Sequence, residues 1–212
     1  MQWLILIAYI VVGWLWPATS WVAIICMVGP VAMSAYRGRF WCGHICPRGA
    51  FYSQIIERIS RHKRIPTPLR SNGFRAFMLM FIMSMFAVQF YYSWGNVDAM
   101  GLVFWRLIII TTIVGIILGV IYSPRAWCTF CPMGTLSAIV GKRSAKAQKW
   151  NIQVLNQCKK CTLCAQKCPM QLTPYTAAGT ENGYANADCL RCQKCIETCP
   201  LKVISFKNAN MH

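Results

Sequence analysis

The sequence predicts a mainly α membrane protein, with four transmembrane helices set as two parallel hairpin repeats, followed by a small cysteine-rich α+β domain. Three observations lead there. Of 212 residues, 56% are hydrophobic and only 13% charged, about half the charged share of an ordinary soluble domain. Four long apolar stretches lie before residue 123, separated by turns. Thirteen cysteines are present, and eight of them follow Trp150 in regular C-x-x-C spacing. The charge is lopsided, with 22 Lys and Arg against 5 Asp and Glu, a formal net charge of +17. Nucleic acid is an unsuitable partner for it, because the basic residues are interrupted by apolar runs. The pattern is that of a membrane protein with positive cytoplasmic segments.

The first apolar stretch runs from Trp3 to Trp16 and stops at Pro17. The second runs from about Thr19 to Tyr36, the third from Phe74 to Trp94 and the fourth from Leu102 to Tyr122. The last two make helices of roughly 31 Å, enough to cross the hydrocarbon core. The first is short, but no basic segment precedes it and no small-residue cleavage site follows, so it reads as a span and not a cleaved leader. Orientation follows Lys and Arg. The turns Pro17–Ser20 and Gly95–Asp98 carry no base. Between spans two and three stand Arg37, Arg39, Arg48, Arg58, Arg61, Lys63, Arg64 and Arg70. After span four come Arg125, Lys142, Arg143, Lys146 and Lys149. Both termini are therefore expected in the cytoplasm of a bacterial or archaeal cell, with the chain multi-pass in the cytoplasmic (inner) membrane.

The membrane part repeats itself. Tyr36-Arg-Gly-Arg-Phe-Trp-Cys42-Gly-His-Ile-Cys46-Pro47 finds an echo in Tyr122-Ser-Pro-Arg-Ala-Trp-Cys128-Thr-Phe-Cys131-Pro132. Each segment follows a hairpin and leads into a basic stretch, which makes a parallel repeat. A transmembrane domain over 1–150 and a cytoplasmic domain over 151–212 are the expected division.

The strongest chemical signal lies in the second part. Cys158-x2-Cys161-x2-Cys164-x3-Cys168-Pro169 is followed by Cys189-x2-Cys192-x2-Cys195-x3-Cys199-Pro200. This is the doubled run of bacterial two-cluster ferredoxins, in which three cysteines wrap one cubane and the fourth, before Pro, ligates the other. Cys158, Cys161, Cys164 and Cys199 are thus expected to hold one [4Fe–4S] cluster, and Cys189, Cys192, Cys195 and Cys168 the second. All-cysteine zinc sites use similar loops but do not usually show this cross-over twice. In the membrane part, Cys42-x3-Cys46-Pro47 and Cys128-x2-Cys131-Pro132 each precede a helix that starts at Pro, whose N-terminal N–H groups offset thiolate charge. Four soft ligands suit an iron–sulfur centre or Zn²⁺. A thiol–disulfide relay and turns without metal are the alternatives.

On these motifs the chain resembles the membrane-bound polyferredoxins of the NapH/NosR type, accessory proteins of periplasmic nitrate and nitrous-oxide reductases. The resemblance covers nearly the whole chain: paired spans, two Cys-Pro motifs and the doubled C-terminal run. That family commonly has x3 in both Cys-Pro motifs, and this chain departs from it at Cys128-Thr-Phe-Cys131. The resemblance implies electron transfer between cytoplasmic or quinol donors and acceptors across the membrane.

The remaining signals are read blandly. Cys26 is expected as a small packed residue. Gly115-x3-Gly119 marks close helix packing, and Met78, Met80, Met83 and Met85 fill helix contacts. His44 lies between two motif cysteines, His62 in a basic run and His212 at the end. No histidine falls inside a span, which argues against a bis-histidine membrane haem.

Three functions fit. The leading one is an electron-transfer subunit of a membrane redox complex, working with a flavin-, haem- or molybdenum-bearing subunit. The others are a quinol/quinone oxidoreductase subunit and a redox assembly factor for a metalloenzyme. The first leads because the chain supplies cluster ligands but no nucleotide loop and no acid–base pair.

Overall fold

The computed structural model describes residues 2–144, 149–180 and 183–206, so Lys146 and His212 lie outside the described residues. The apolar stretches become helices whose ends are set by capping chemistry. The first, α1 (Gln2–Leu15), has 14 residues, about 21 Å as helix. A 3₁₀ turn at Pro17–Val22 leads into α2 (Ala23–Arg37). Short helices α3 (Phe40–His44), α4 (Pro47–Phe51), α5 (Glu57–Ile59) and α6 (Thr67–Arg70) follow, with a π turn at Tyr52–Ile56 between α4 and α5. The long α7 (Asn72–Tyr92) starts where Ser71 Oγ accepts from the Phe74 N–H at 3.2 Å. The next helix, α8 (Val97–Ile121), begins five residues before the apolar run. Asn96 Oδ1 accepts from the N–H groups of Asp98 and Ala99, at 3.1 and 3.2 Å, and so winds the expected outer turn into the helix.

Three helical segments are long and apolar enough to cross a membrane: Pro17–Arg37, Asn72–Tyr92 and Val97–Ile121. The shorter α1 falls below that length. Large apolar side chains stand exposed along these segments, among them Ile25, Phe77, Phe81, Val88, Ile113 and Ile117. Lipid is the solvent that suits such a surface.

By its contacts the chain divides into two compact units. The first comprises Met1–Gly29 and Ile45–Thr135. Its core gathers Tyr52, Ile56, Ile82, Trp127 and Phe130. The Gly115-x3-Gly119 stripe does pack closely. A Cβ at Gly115 would strike the Tyr52 hydroxyl, and one at Gly119 would meet Ile56 Cγ2 at 2.9 Å. Tyr52 is fully buried and its Oη donates to the Thr112 carbonyl at 3.3 Å, so the glycines admit a large side chain whose polar end is satisfied. Met78 and Met83 pack against this core, whereas Met80 faces outward. Cys26 is exposed on α2 and not packed.

The second unit comprises Pro30–His44 and Leu136–His212. It contains α3, most of α9 (Pro132–Arg143), β1 (Ile152–Val154), α10 (Leu163–Gln166), α11 (Lys194–Thr198) and β2 (Ile204–Phe206). The strands pair antiparallel, Ile152 opposite Phe206 and Val154 opposite Ile204. Buried Ile152, Val154, Met170, Leu172, Leu190 and Ile204 form the core beneath them. The duplicated cysteine runs fold alike: Lys160 and Arg191, Thr162 and Gln193, and Gln171 and Lys202 all have positive φ, between 51° and 66°. Each pair holds the same place in its run. Non-glycine residues tolerate that conformation when the surroundings require it, here a loop that turns tightly around its cysteines.

Candidate metal centres

The short spacing within each C-terminal run turns the chain so that its thiols converge. Cys168, Cys189, Cys192 and Cys195 line one cavity, closed on the apolar side by Met170, Leu172 and others. This set is three cysteines of the second run and the fourth of the first. Cys189 and Cys195 feel burial most: desolvation, with the neighbouring thiolates, pushes the first thiol up to about 11 and the second to about 12. The charges that raise Cys195 come from Cys189, Cys192, Cys168 and Cys164. Four thiolates crowded in a dry pocket repel one another, and iron would offset that repulsion. A backbone hydrogen bond from Arg191 acts on Cys189 in the opposite sense, as donors to sulfur do in iron–sulfur sites.

The first run shows the same features more openly. Burial raises the Cys164 thiol, backbone hydrogen bonds from Tyr175 and Ala165 oppose the rise, and Cys158 and Cys161 add to it. Cys199 caps α11 and donates its N–H to the Ile196 carbonyl at 3.3 Å. Its counterpart Cys168 does so to Ala165 at 3.2 Å, and α10 packs on α11. Among the described residues, no three Cys, His, Asp or Glu side chains stand close enough to share a single metal ion.

The Cys-Pro motifs do open helices at Pro47 and Pro132. In the first unit, the guanidinium of Arg48 contacts Cys131 and also feels the charges of Cys46 and Cys128. Arg48 Nη1 donates to Thr111 Oγ1 at 2.7 Å, Nη2 to Cys131 Sγ at 3.7 Å, and the group lies 5.7 Å from the Trp127 ring centre. Desolvation would lower the Arg48 pKa, but the anionic forms of Cys131, Tyr52, Cys46 and Cys128 together raise it. Cys128 and Cys131 pack against the core that contains Trp127, which is 2% exposed. Its indole N–H has no hydrogen-bond acceptor among the described residues. A buried unpaired donor costs about 1–3 kcal/mol, and a sulfur of an iron–sulfur centre, were one held at Cys128, would be an acceptor of the right kind. Cys42 lies on α3 in the second unit. Nearby, His44 stacks on Phe40 at 4.0 Å with Nδ1 3.3 Å from the Phe40 carbonyl, which fills a turn.

Sequence reasoning counted Arg48 only as a topogenic charge. Its place next to Cys46-Pro47 was the available signal. It also missed the ion pair of buried Arg39 with half-buried Asp188, for which the chain gives no local sign.

Comparison with known proteins agrees with the cysteine chemistry. Residues 19–66 and 98–151 match the family model of a 4Fe-4S binding domain, and each segment contains one Cys-Pro motif. Residues 157–204, with all eight C-terminal cysteines, match that of a 4Fe-4S dicluster domain. The chain is 27% identical to uncharacterized protein MJ0749 of Methanocaldococcus jannaschii over 70% of its own length and 58% of that protein. It is 25% identical to uncharacterized protein MJ0750 of the same organism, over 67% and 63%. It thus spans about three fifths of the length of the curated relatives it matches. No solved structure matches it. The domain matches support an iron–sulfur, ferredoxin-like protein, a kind suited to electron transfer.

Proposed function

We propose that this protein is an electron-transfer subunit of a membrane redox complex, working between its C-terminal domain and a membrane or extracytoplasmic acceptor. The observation that carries this reading is the cavity lined by Cys168, Cys189, Cys192 and Cys195, the cross-over set expected of a two-cluster ferredoxin. Each cluster, when bound, supplies one-electron chemistry. Cys158, Cys161, Cys164 and Cys199 would hold the other [4Fe–4S] cluster, and Cys42, Cys46, Cys128 and Cys131 a third iron–sulfur centre. The chain's own groups hold the thiolates, donate hydrogen bonds to sulfur and keep water away. The absence of a nucleotide loop from the sequence leaves the chemistry of donor and acceptor to flavin-, haem- or molybdenum-bearing partners.

The test uses full-length protein in liposomes, reduced from outside by dithionite, with an acceptor enclosed in the lumen. Electrons are expected to reach the acceptor. A variant with Cys42, Cys46, Cys128 and Cys131 all changed to Ala should keep both C-terminal clusters and lose the transfer. An undiminished rate in that variant would defeat the proposal.

The Lys/Arg asymmetry further supports four spans in two parallel hairpins, with both ends in the cytoplasm. Reporter fusions should read outward at Thr19 and Asn96 and inward at Asn72. An outward signal at Asn72 or an inward one at Asn96 contradicts the topology.

A second reading, a quinol/quinone oxidoreductase subunit, is favoured by one feature. A cavity of about 300 Å³ between α7 and α8 is lined by Gln89, Tyr92, Ser93 and Arg106 together with Met85 and Ile110. Donors in an otherwise apolar pocket suit a quinone head group.

A further inference from the structure

Within the second unit, the segment that carries Cys42 is seated on the ligand loop of the second cysteine run. Arg39 is only 1% exposed and its Nη1 donates to Asp188 Oδ1 at 3.0 Å. Asp188 immediately precedes Cys189. Gly38 has φ +56°, and a Cβ there would run into the guanidinium of Arg191, the residue before Cys192. A Cβ at Gly43, next to Cys42, would come within 2.5 Å of the Leu190 carbonyl oxygen. Arg191 is itself 7% exposed, and its Nη2 donates to Asn151 Oδ1 at 3.2 Å. On the other side, Arg37 stacks over Trp150 at 4.5 Å. Gly38 thus leaves room for the Arg191 side chain, Gly43 lets backbone approach backbone, and an ion pair between buried Arg39 and half-buried Asp188 fastens the contact.

We propose that Arg39 and Asp188, paired beside the Cys189–Cys192 loop, tune the reduction potential of the centre held there through the opposed fields of their two charges. This rests on the reading of Cys168, Cys189, Cys192 and Cys195 as ligands of one cluster. The reduced form of a cluster carries one more negative charge than the oxidised form, so a nearby cation raises the potential and a nearby anion lowers it. Burial of Arg39 leaves little water or salt to screen that field. In the intact pair the two charges largely cancel. Arg39→Gln removes the positive member of the pair, and Asp188→Asn the negative one.

The two substitutions should therefore shift the potential in opposite directions, downward for Arg39→Gln and upward for Asp188→Asn. A merely structural role predicts something else, because loosening the same loop from either side exposes the same centre to water and shifts both variants alike. Redox titration of the full-length protein in lipid, followed by electron paramagnetic resonance, separates the two. Opposite shifts confined to the signal that depends on Cys189, near-native values for Arg39→Lys, and return toward native in the double variant Arg39→Gln/Asp188→Asn support the proposal. Shifts of the same sign, no shift, or a shift only in the signal that depends on Cys158 overturn it. Should the single variants lose the cluster, the Arg39→Lys and double variants decide: a displaced potential in either overturns it. Absence of any signal dependent on Cys189 in the native protein refutes the ligand assignment instead.

Discussion

Replacing Cys168 with Ser is expected to remove the cluster of the second cysteine run while leaving that of its own run. Cys168 follows Cys158, Cys161 and Cys164 in sequence, yet lines a cavity with Cys189, Cys192 and Cys195. A cluster deprived of one of four thiolates is commonly lost or degraded, so total iron should fall by about four atoms per chain. Cys199→Ser should produce the complementary loss, at the Cys158 loop. Iron analysis and electron paramagnetic resonance of each variant, with Cys161→Ser and Cys192→Ser as references, make the comparison. The Cys168→Ser spectrum should match that of Cys192→Ser. A match to Cys161→Ser instead means that each run closes its own cluster, and the cross-over assignment is then incorrect.

The second large effect is expected at Arg48. Its guanidinium is the cation placed among Cys46, Cys128 and Cys131, and the Nη1 hydrogen bond to Thr111 fixes its direction. Arg48→Met keeps much of the volume and removes the charge. Thr111 is not stranded by the change, because its hydroxyl also donates to the Leu107 carbonyl at 2.7 Å. The loss then falls on the thiolates, which face one another without the guanidinium charge. Removing an outer-shell partner of this kind commonly costs about 10–100-fold in metal affinity, so the proposed membrane centre should bind iron that much more weakly. Arg48→Lys should recover only part of it, since an ammonium lacks the planar fork that reaches Thr111 and Cys131 together. Iron retention against a chelator in the variant lacking the eight C-terminal cysteines isolates this centre. Equal retention by Arg48→Met and the native side chain would count against Arg48 as its counter-ion.

Much of the architecture was legible in the residues themselves. The third and fourth apolar runs became α7 and α8, and Gly115-x3-Gly119 became the groove that receives Tyr52 and Ile56. Helices open at Pro47 and Pro132 because proline suits the first helical position and supplies no N–H that would need a partner there. Boundaries moved where a polar side chain made a cap. Asn96 extended α8 into what composition marked as a turn, since a hydropathy pattern registers apolar content and not hydrogen bonds. The first apolar stretch formed a helix too short to be grouped with the other three, because Pro17 ends it at Leu15 and redirects the chain into a 3₁₀ turn.

The cysteine spacing by itself determined which thiols belong to which loop, because C-x-x-C geometry is closed by the few residues between the sulfurs and owes little to the rest of the chain. Only the tertiary structure decided which charges stand beside those loops. Arg39 and Asp188 are 149 residues apart, and Arg48 and Cys131 are 83 apart. Neither pair has a local pattern to announce it. Such contacts exist because helix packing and the close approach at Gly43 bring distant backbone together, and a buried charge persists there only if a partner arrives with it. Loop membership of the cysteines is thus a short-range property of this chain, whereas the cavity that Cys168 shares with the second run, like the charges beside both loops, is a long-range one.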